Sequence, residues 1–221
     1  MSTIRGCVFD AYGTLFDVHS VTTMCREVTP DALALSATWR AKQLEYTWLR
    51  ALMGTYEDFW SITDAALRFA LKQHNIAIQP QQYTRLLEEY YRLAIYPEVA
   101  AALRSLQHYP LAILSNGSPR MIEAVIAHNN LQKVFTQVLS VDAVRTFKPK
   151  PEVYELAPTH LRVPKEDLLF VSSNTFDVIG AKAFGFQVAW INRTNATLDN
   201  LGWQPDVIIE HLDQLSQVVA L

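Results

Sequence analysis

The chain has 221 residues, and half of them are hydrophobic. That length supports one full core with room for a small second lobe. The formal net charge is −3, from 19 basic and 22 acidic side chains, with no basic tract, which argues against nucleic acid or an anionic membrane surface as a partner.

No window approaches the roughly 20 apolar residues of a membrane-spanning helix. The N-terminus has no basic stretch followed by an apolar run, so no signal peptide is expected. The two cysteines, Cys7 and Cys25, have a spacing that suits neither a metal site nor a disulfide framework. A reduced, cytoplasmic protein is expected.

Cys7, Val8 and Phe9 form a short continuous apolar run, the pattern of a strand buried on both faces in a parallel sheet. The run ends in Asp10, and Gly13-Thr14 reads as a turn. A carboxylate at the carboxyl end of such a strand sits where open α/β sheets hold their ligands. Residues 19–28 then look helical. Thr29-Pro30-Asp31 predicts a helix start, with Thr29 as N-cap and Pro30 in the first position. That helical pattern runs to Gly54, a plausible terminator. Two more helical stretches follow, 56–75 and 80 to about 94. No strand signal appears from Val18 to Ile95, a span far longer than an ordinary crossover. An inserted helical lobe is expected there.

From Tyr96-Pro97 helices and strands alternate. A helix opens at Pro97-Glu98-Val99 and ends near Tyr109-Pro110. A buried strand, 111–114, is broken by Ser115-Asn116-Gly117, and Ser118-Pro119 starts the next helix. Residues 138–141 read as a strand, and Lys148-Pro149-Lys150-Pro151 breaks the chain before the helix holding Tyr154. Strand 168–171 ends in Ser172-Ser173-Asn174, and a helix follows through Asp177 to Gly185. Strands 188–191 and 207–209 come last. This alternation predicts an α/β fold with a doubly wound parallel sheet.

Parallel strands place their carboxyl ends at one edge. Asp10, Ser115-Asn116, Lys148 and Ser172-Ser173-Asn174 should therefore converge into a small polar pocket. Arg40 belongs with them. Leu33, Ala37, Arg40, Leu44 and Trp48 share one face of the long helix, so Arg40 interrupts an apolar stripe. Arginine is rarely buried without an anionic partner. Either it pairs with a lobe carboxylate such as Glu45 or reaches solvent, or the lobe faces the sheet edge and Arg40 meets an anionic ligand there.

Asp10-Ala-Tyr-Gly-Thr14, Ser115-Asn116, Lys148-Pro149 and Ser172-Ser-Asn-x-x-Asp177 together resemble the haloacid dehalogenase superfamily, and within it the L-2-haloacid dehalogenases. Trp39-Arg-Ala-Lys-Gln-Leu-Glu-Tyr46 and Trp190-Ile-Asn-Arg193 resemble those dehalogenases too. The resemblance covers nearly the whole chain in order. It implies a Rossmann-like core, residues 1–17 and 95–221, with a helical cap, residues 18–94, inserted after the first strand. It implies Asp10 as nucleophile, with Thr14 and Ser172 holding its carboxylate. Ala11 and Tyr12 would contact the substrate, whose carboxylate would rest on Ser115, Ser172 and backbone N–H groups. Arg40 and Asn116 would receive the halide. Lys148 and Asp177 would form an ion pair beside the nucleophile, with Tyr154 and Asn174 completing the pocket. Leu44, Phe59 and Phe176 would wall the substrate's alkyl group. A homodimer is also implied. Two positions depart from the pattern: Ala41 replaces a Gln, and Phe176 stands where some members carry Trp. Both bear on pocket size and chain length.

Phosphatases of the same superfamily share the fold and the aspartate, so the residues must choose. Those enzymes typically carry a second Asp two positions after the first, as acid for the leaving alcohol; here that position is Tyr12. Losing such an acid would cost roughly 10²- to 10⁴-fold in rate. A halide leaves without a proton. Phosphatases also hold Mg²⁺ on acids after a later strand. In the matching stretch, 172–177, Asp177 is the sole acid, and Mg²⁺ wants hard oxygen ligands. The expectation is a 2-haloacid as substrate, no metal and no cofactor. A Mg²⁺-dependent phosphatase, and a silent binding member of the superfamily, stay open as alternatives.

Overall fold

A computed structural model describes residues 3–219. Residues 1–2 and 220–221, the ends of the expected core, lie outside the described residues. Six parallel strands form one sheet in the order β3-β2-β1-β4-β5-β6. They are β1 (Gly6–Phe9), β2 (Leu111–Ser115), β3 (Gln137–Ser140), β4 (Leu168–Ser172), β5 (Gln187–Ile191) and β6 (Val207–Ile209). β1, β2, β4 and β5 are buried throughout, which is why they read as unbroken apolar runs. The two outer strands are partly exposed.

From β1 the chain winds out to β2 and β3, then returns to β4 on the other side of β1. Connections from β1 and β4 thus run in opposite directions. The crevice between their carboxyl ends is the switch point at which such sheets bind ligands. Asp10 leaves β1 there, and its N–H donates to Val171 O at 3.0 Å.

Between β1 and β2 the secondary structure is helical. The main elements are α1 (Val21–Cys25), α2 (Ala32–Met53), α3 (Phe59–Gln73) and α4 (Pro80–Glu88). α2 starts two residues later than Thr29-Pro30 suggests. Asp31 is the N-cap, its carboxylate accepting from Ala34 N at 3.4 Å, while Thr29 Oγ1 accepts from Asp31 N. Asp31 satisfies an orphan N–H of the first turn, and Pro30 fits the non-helical approach. Gly54 ends the helix at φ 67°, a left-handed conformation that glycine adopts without a Cβ penalty. α3 begins behind Asp58, which caps Ser61 N at 2.8 Å, not at residue 56.

The buried positions of α2 are Ala32, Leu35, Trp39, Gln43 and Thr47. Leu33 and Ala37, placed on the apolar stripe by sequence, are exposed. The core-facing face is rotated by about one residue from the one read by periodicity. Two of its members are polar and hydrogen-bonded within the lobe, so hydrophobicity alone misassigns it. Arg40, Leu44 and Trp48 are half-buried on the flank of that face.

Past the first lobe come α5 (Val99–Ser105), α6 (Pro119–His128), α7 (Pro151–Tyr154), α8 (Leu156–Leu161), α9 (Thr175–Phe184) and α10 (Leu215–Val219). α9 packs on β4 and β5, and α8 on β2 and β3. No helix among the described residues is long and apolar enough to cross a membrane.

Candidate active site

Asp10 is the centre of the site. Its Oδ2 accepts from Thr14 Oγ1 and from Asn174 Nδ2, each at 2.8 Å. Its Oδ1 accepts from Lys148 Nζ at 3.1 Å. Thr14 is placed by the turn after β1, where Ala11 O accepts from Thr14, Leu15 and Phe16 N–H. Asn174 is the N-cap residue of α9, so the end of β4 delivers it. Three donors on one carboxylate fix its rotamer.

Lys148 is 1% exposed and lies between two carboxylates, Asp10 and, at 2.8 Å, Asp177 Oδ2. Asp177 is sealed from solvent, and its Oδ1 accepts from the Tyr154 hydroxyl at 2.8 Å. Gly180 makes this possible. A Cβ there would stand 2.5 Å from the Tyr154 hydroxyl oxygen, so only glycine lets the ring approach α9. Burial pushes the Asp177 carboxyl up to about 6, reinforced by Asp10 and opposed by Lys148 and Tyr154. Burial works against the Lys148 ammonium as well, but Asp10 and Asp177 outweigh it and hold it above its ordinary value. Burial and the Asp177 charge raise the Tyr154 phenol well above its usual range.

A small cavity opens beside Asp10. Lys148, Asn174 and Phe176 line it from the sheet side, and Tyr12 and Asn116 from the loops after β1 and β2. Arg40, Leu44 and Phe59 close it from the helical lobe. About 10 Å³ is open to the centre of a water molecule, room for roughly one water. Asn116 Oδ1 accepts from Lys148 N at 3.1 Å. The Tyr12 hydroxyl is buried with no hydrogen bond.

Arg40 Nη1 donates to Gln43 Oε1 at 2.7 Å, and Nη2 to Tyr12 O at 3.4 Å. Among the described residues no carboxylate pairs with it. Glu45, the alternative partner, is bound to Lys42 at 2.7 Å. The guanidinium therefore brings an uncompensated positive charge to the cavity wall.

The remaining expected site residues lie outside the cavity. Thr14, Tyr154 and Asp177 stand behind it and act through Asp10 and Lys148. Ala11 is fully buried, and its carbonyl holds the turn. The Ser115 hydroxyl accepts from Gly117 N at 3.0 Å. Ser172 does not hold Asp10 as expected: its hydroxyl accepts from Asn174 N at 3.1 Å, and Asn174 makes the bond to the carboxylate. The loop turns just after β4, so the amide side chain reaches further into the crevice than the shorter serine.

Two residues that the sequence placed in its motifs without a role prove to be supports. Ser173 donates from Oγ to Gly13 O at 2.6 Å and from its N–H to Thr14 Oγ1 at 2.9 Å. Arg193 donates from Nη2 to Thr14 O and Glu98 Oε1, at 3.0 and 2.7 Å. For Arg193 the motif 190–193 carried the signal, an arginine two residues after a buried strand, with nothing to name its partners.

Among the described residues no group of three or more His, Cys, Asp or Glu side chains is placed to hold a metal ion. Both Asp177 oxygens are already engaged by Lys148 and Tyr154. The donor set of this site is a carboxylate, an ammonium, a guanidinium and neutral amides, which suits a small organic anion better than a divalent cation.

A model of the haloacid dehalogenase-like hydrolases matches residues 4–185. The chain is 45% identical to (S)-2-haloacid dehalogenase 2 of Pseudomonas sp. (strain CBS-3), over 99% of this chain and 97% of that protein. It is 44% identical to haloacetate dehalogenase H-2 of Moraxella sp. (strain B), over the full length of both. A solved L-2-haloacid dehalogenase from Xanthobacter autotrophicus, with chloropropionic acid covalently bound, superposes with a TM-score of 0.93 at 40% identity and covers 99% of each chain. The chain belongs to the haloacid dehalogenase-like hydrolases, and within them it stands among the (S)-2-haloacid dehalogenases.

Proposed function

We propose that this protein hydrolyses short (S)-2-haloalkanoates, such as L-2-chloropropionate, to (R)-2-hydroxy acids and halide. One observation carries the reading: Asp10 and a guanidinium without a carboxylate partner face the same small cavity. A nucleophile and an acceptor for the departing anion are the two groups that an in-line displacement needs. Tyr12, two residues after Asp10, supplies a ring and a carbonyl but no acid, which suits a leaving group that departs unprotonated.

Asp10 Oδ1 has one hydrogen bond against two on Oδ2, so it is the oxygen that attacks Cα. The C–halogen bond breaks, and the halide leaves toward Arg40 and Asn116. An aspartyl ester remains. Water then adds to the Asp10 carbonyl carbon and releases the hydroxy acid. Lys148 is held protonated by its two carboxylates and cannot take a proton from that water. Asp177 lies behind that ammonium with both oxygens engaged, so it holds Lys148 in place and does not touch the water. Leu44, Phe59 and Phe176 wall the alkyl group, while loop N–H groups receive the substrate carboxylate.

Residues 18–94 act as the cap over a core of 1–17 and 95–221. Exposed Leu49, Leu52 and Met53 on α2 support a homodimer. Two buried free thiols, Cys7 and Cys25, support a reducing, cytoplasmic setting. The test of activity is halide release and product chirality. Incubation with L-2-chloropropionate should liberate chloride and D-lactate, and Asp10→Asn should liberate neither. Racemic lactate, or no chloride from the wild type, would remove the assignment.

A further inference from the structure

The motif 39–46 contains a second polar residue that the mechanism above does not use. Gln43 is fully buried in α2, one turn from Arg40. Its Oε1 accepts from Arg40 Nη1 at 2.7 Å and from the Tyr90 hydroxyl at 3.4 Å. Its Nε2 donates to Thr63 Oγ1 at 2.7 Å. Thr63 Oγ1 in turn donates to Phe59 O at 2.6 Å, and Thr63 O accepts from Trp39 Nε1 at 2.9 Å. Tyr90 comes from the turn after α4, and the other bonds lie at the junction of α2 and α3.

We infer that Gln43 is a positioning residue that aims the Arg40 guanidinium into the cavity while leaving its charge free for the halide. The inference rests on the dehalogenase reading of the site. A buried amide with both ends engaged has one orientation, and that orientation points Oε1 at Arg40. A long arginine side chain otherwise has many rotamers to choose from. The neutrality of the partner matters as much as its position. A carboxylate at the same place would hold Arg40 equally well and cancel the charge that the departing anion needs. The amide orients without neutralising. The same chain reaches Phe59 through Thr63, so one buried network sets both the anion-receiving and the apolar wall.

Two variants separate orientation from charge. Gln43→Met keeps the volume and removes the acceptor. Gln43→Glu keeps the acceptor and adds a compensating charge. Kinetics are measured on L-2-chloro- and L-2-iodopropionate, with chloride as product inhibitor and thermal melting as the control for folding. Chloride is the poorer leaving group and depends more on its acceptor. Both variants are expected to lose about 10²-fold in kcat/KM on the chloro substrate, at least several times more than on the iodo substrate, and both should bind chloride more weakly. A merely structural residue would lower the melting temperature but scale both substrates alike and leave chloride inhibition unchanged. That pattern would overturn the inference, as would wild-type kinetics in a folded variant. If Gln43→Met fails to fold, Gln43→Glu decides alone. Halide release by the wild type is scored separately, so loss of the dehalogenase reading is distinguished from loss of the role of Gln43.

Discussion

Asp10 and Lys148 form a buried ion pair, 3.1 Å from Oδ1 to Nζ, with side chains 9% and 1% exposed. The pair is not isolated, because Asp177 lies on the other side of the same ammonium at 2.8 Å. One cation therefore separates two carboxylates that would otherwise repel in a dry site.

Removing that cation should be costly. Lys148→Met leaves two carboxylates facing each other without a counter-charge, and breaking such a buried pair costs about 3–5 kcal/mol. The variant should be most destabilised at neutral pH and should regain stability in mild acid, as Asp177 takes up a proton. Denaturant unfolding at pH 7.5 and 5.5 checks this. A variant as stable as the wild type at pH 7.5 would show that Lys148 does not balance the two acids.

Activity should fall as pH drops through about 6, where the buried Asp177 carboxyl takes up its proton. Protonation removes the charged partner of Lys148. The linkage to stability has the opposite sense. A carboxyl raised in the folded state contributes stability that is fully present below its unfolded pKa and lost as pH rises through about 6. Acid thus inactivates through this group while it stabilises the fold through it. A pH–rate profile of wild type and Asp177→Asn is the check. An identical acid limb in a residually active Asp177→Asn variant would assign that limb to another group.

Arg40→Ala should abolish most activity while the protein stays folded. Its partners, Gln43 Oε1 and Tyr12 O, are neutral acceptors, so no buried carboxylate is orphaned by the change. Losing a charged contact to a buried anion should cost about 2–5 kcal/mol in transition-state binding. Near-normal turnover in a folded variant would refute the role.

Turnover should be indifferent to EDTA and to added Mg²⁺. The reason lies in the side chains: Lys148 and Tyr154 occupy both oxygens of Asp177, and Ser173 and Tyr12 stand where further acids would be needed. Activity lost to a chelator and restored by Mg²⁺ would return the phosphatase alternative.

The sheet was legible because its inner strands are buried on both faces and end in polar residues. Asp10, Asn116, Lys148 and Asn174 all fall at that edge, and the structure brings them to one cavity. The helical lobe was less legible. α2 buries Gln43 and Thr47 and exposes Leu33, because Trp39 and Gln43 bond to Thr63 of α3 and Thr47 to Leu44 O, which no periodicity reports. The exchange of Ser172 for Asn174 on Asp10 has a similar origin. Ser172 ends β4 and Asn174 lies two residues on, and the turn of the loop decides which one reaches the carboxylate.

The most direct measurement follows the oxygen. If Asp10 attacks Cα, its own carboxylate oxygen becomes the hydroxyl of the product. Water enters afterwards, at the Asp10 carbonyl carbon. With enzyme in excess over L-2-chloropropionate in ¹⁸O water, one turnover should give unlabelled lactate and place the label on the peptide containing Asp10, read by mass spectrometry. Labelled lactate from that first turnover, with the Asp10 peptide left light, would mean that water attacks Cα directly and would contradict the covalent route.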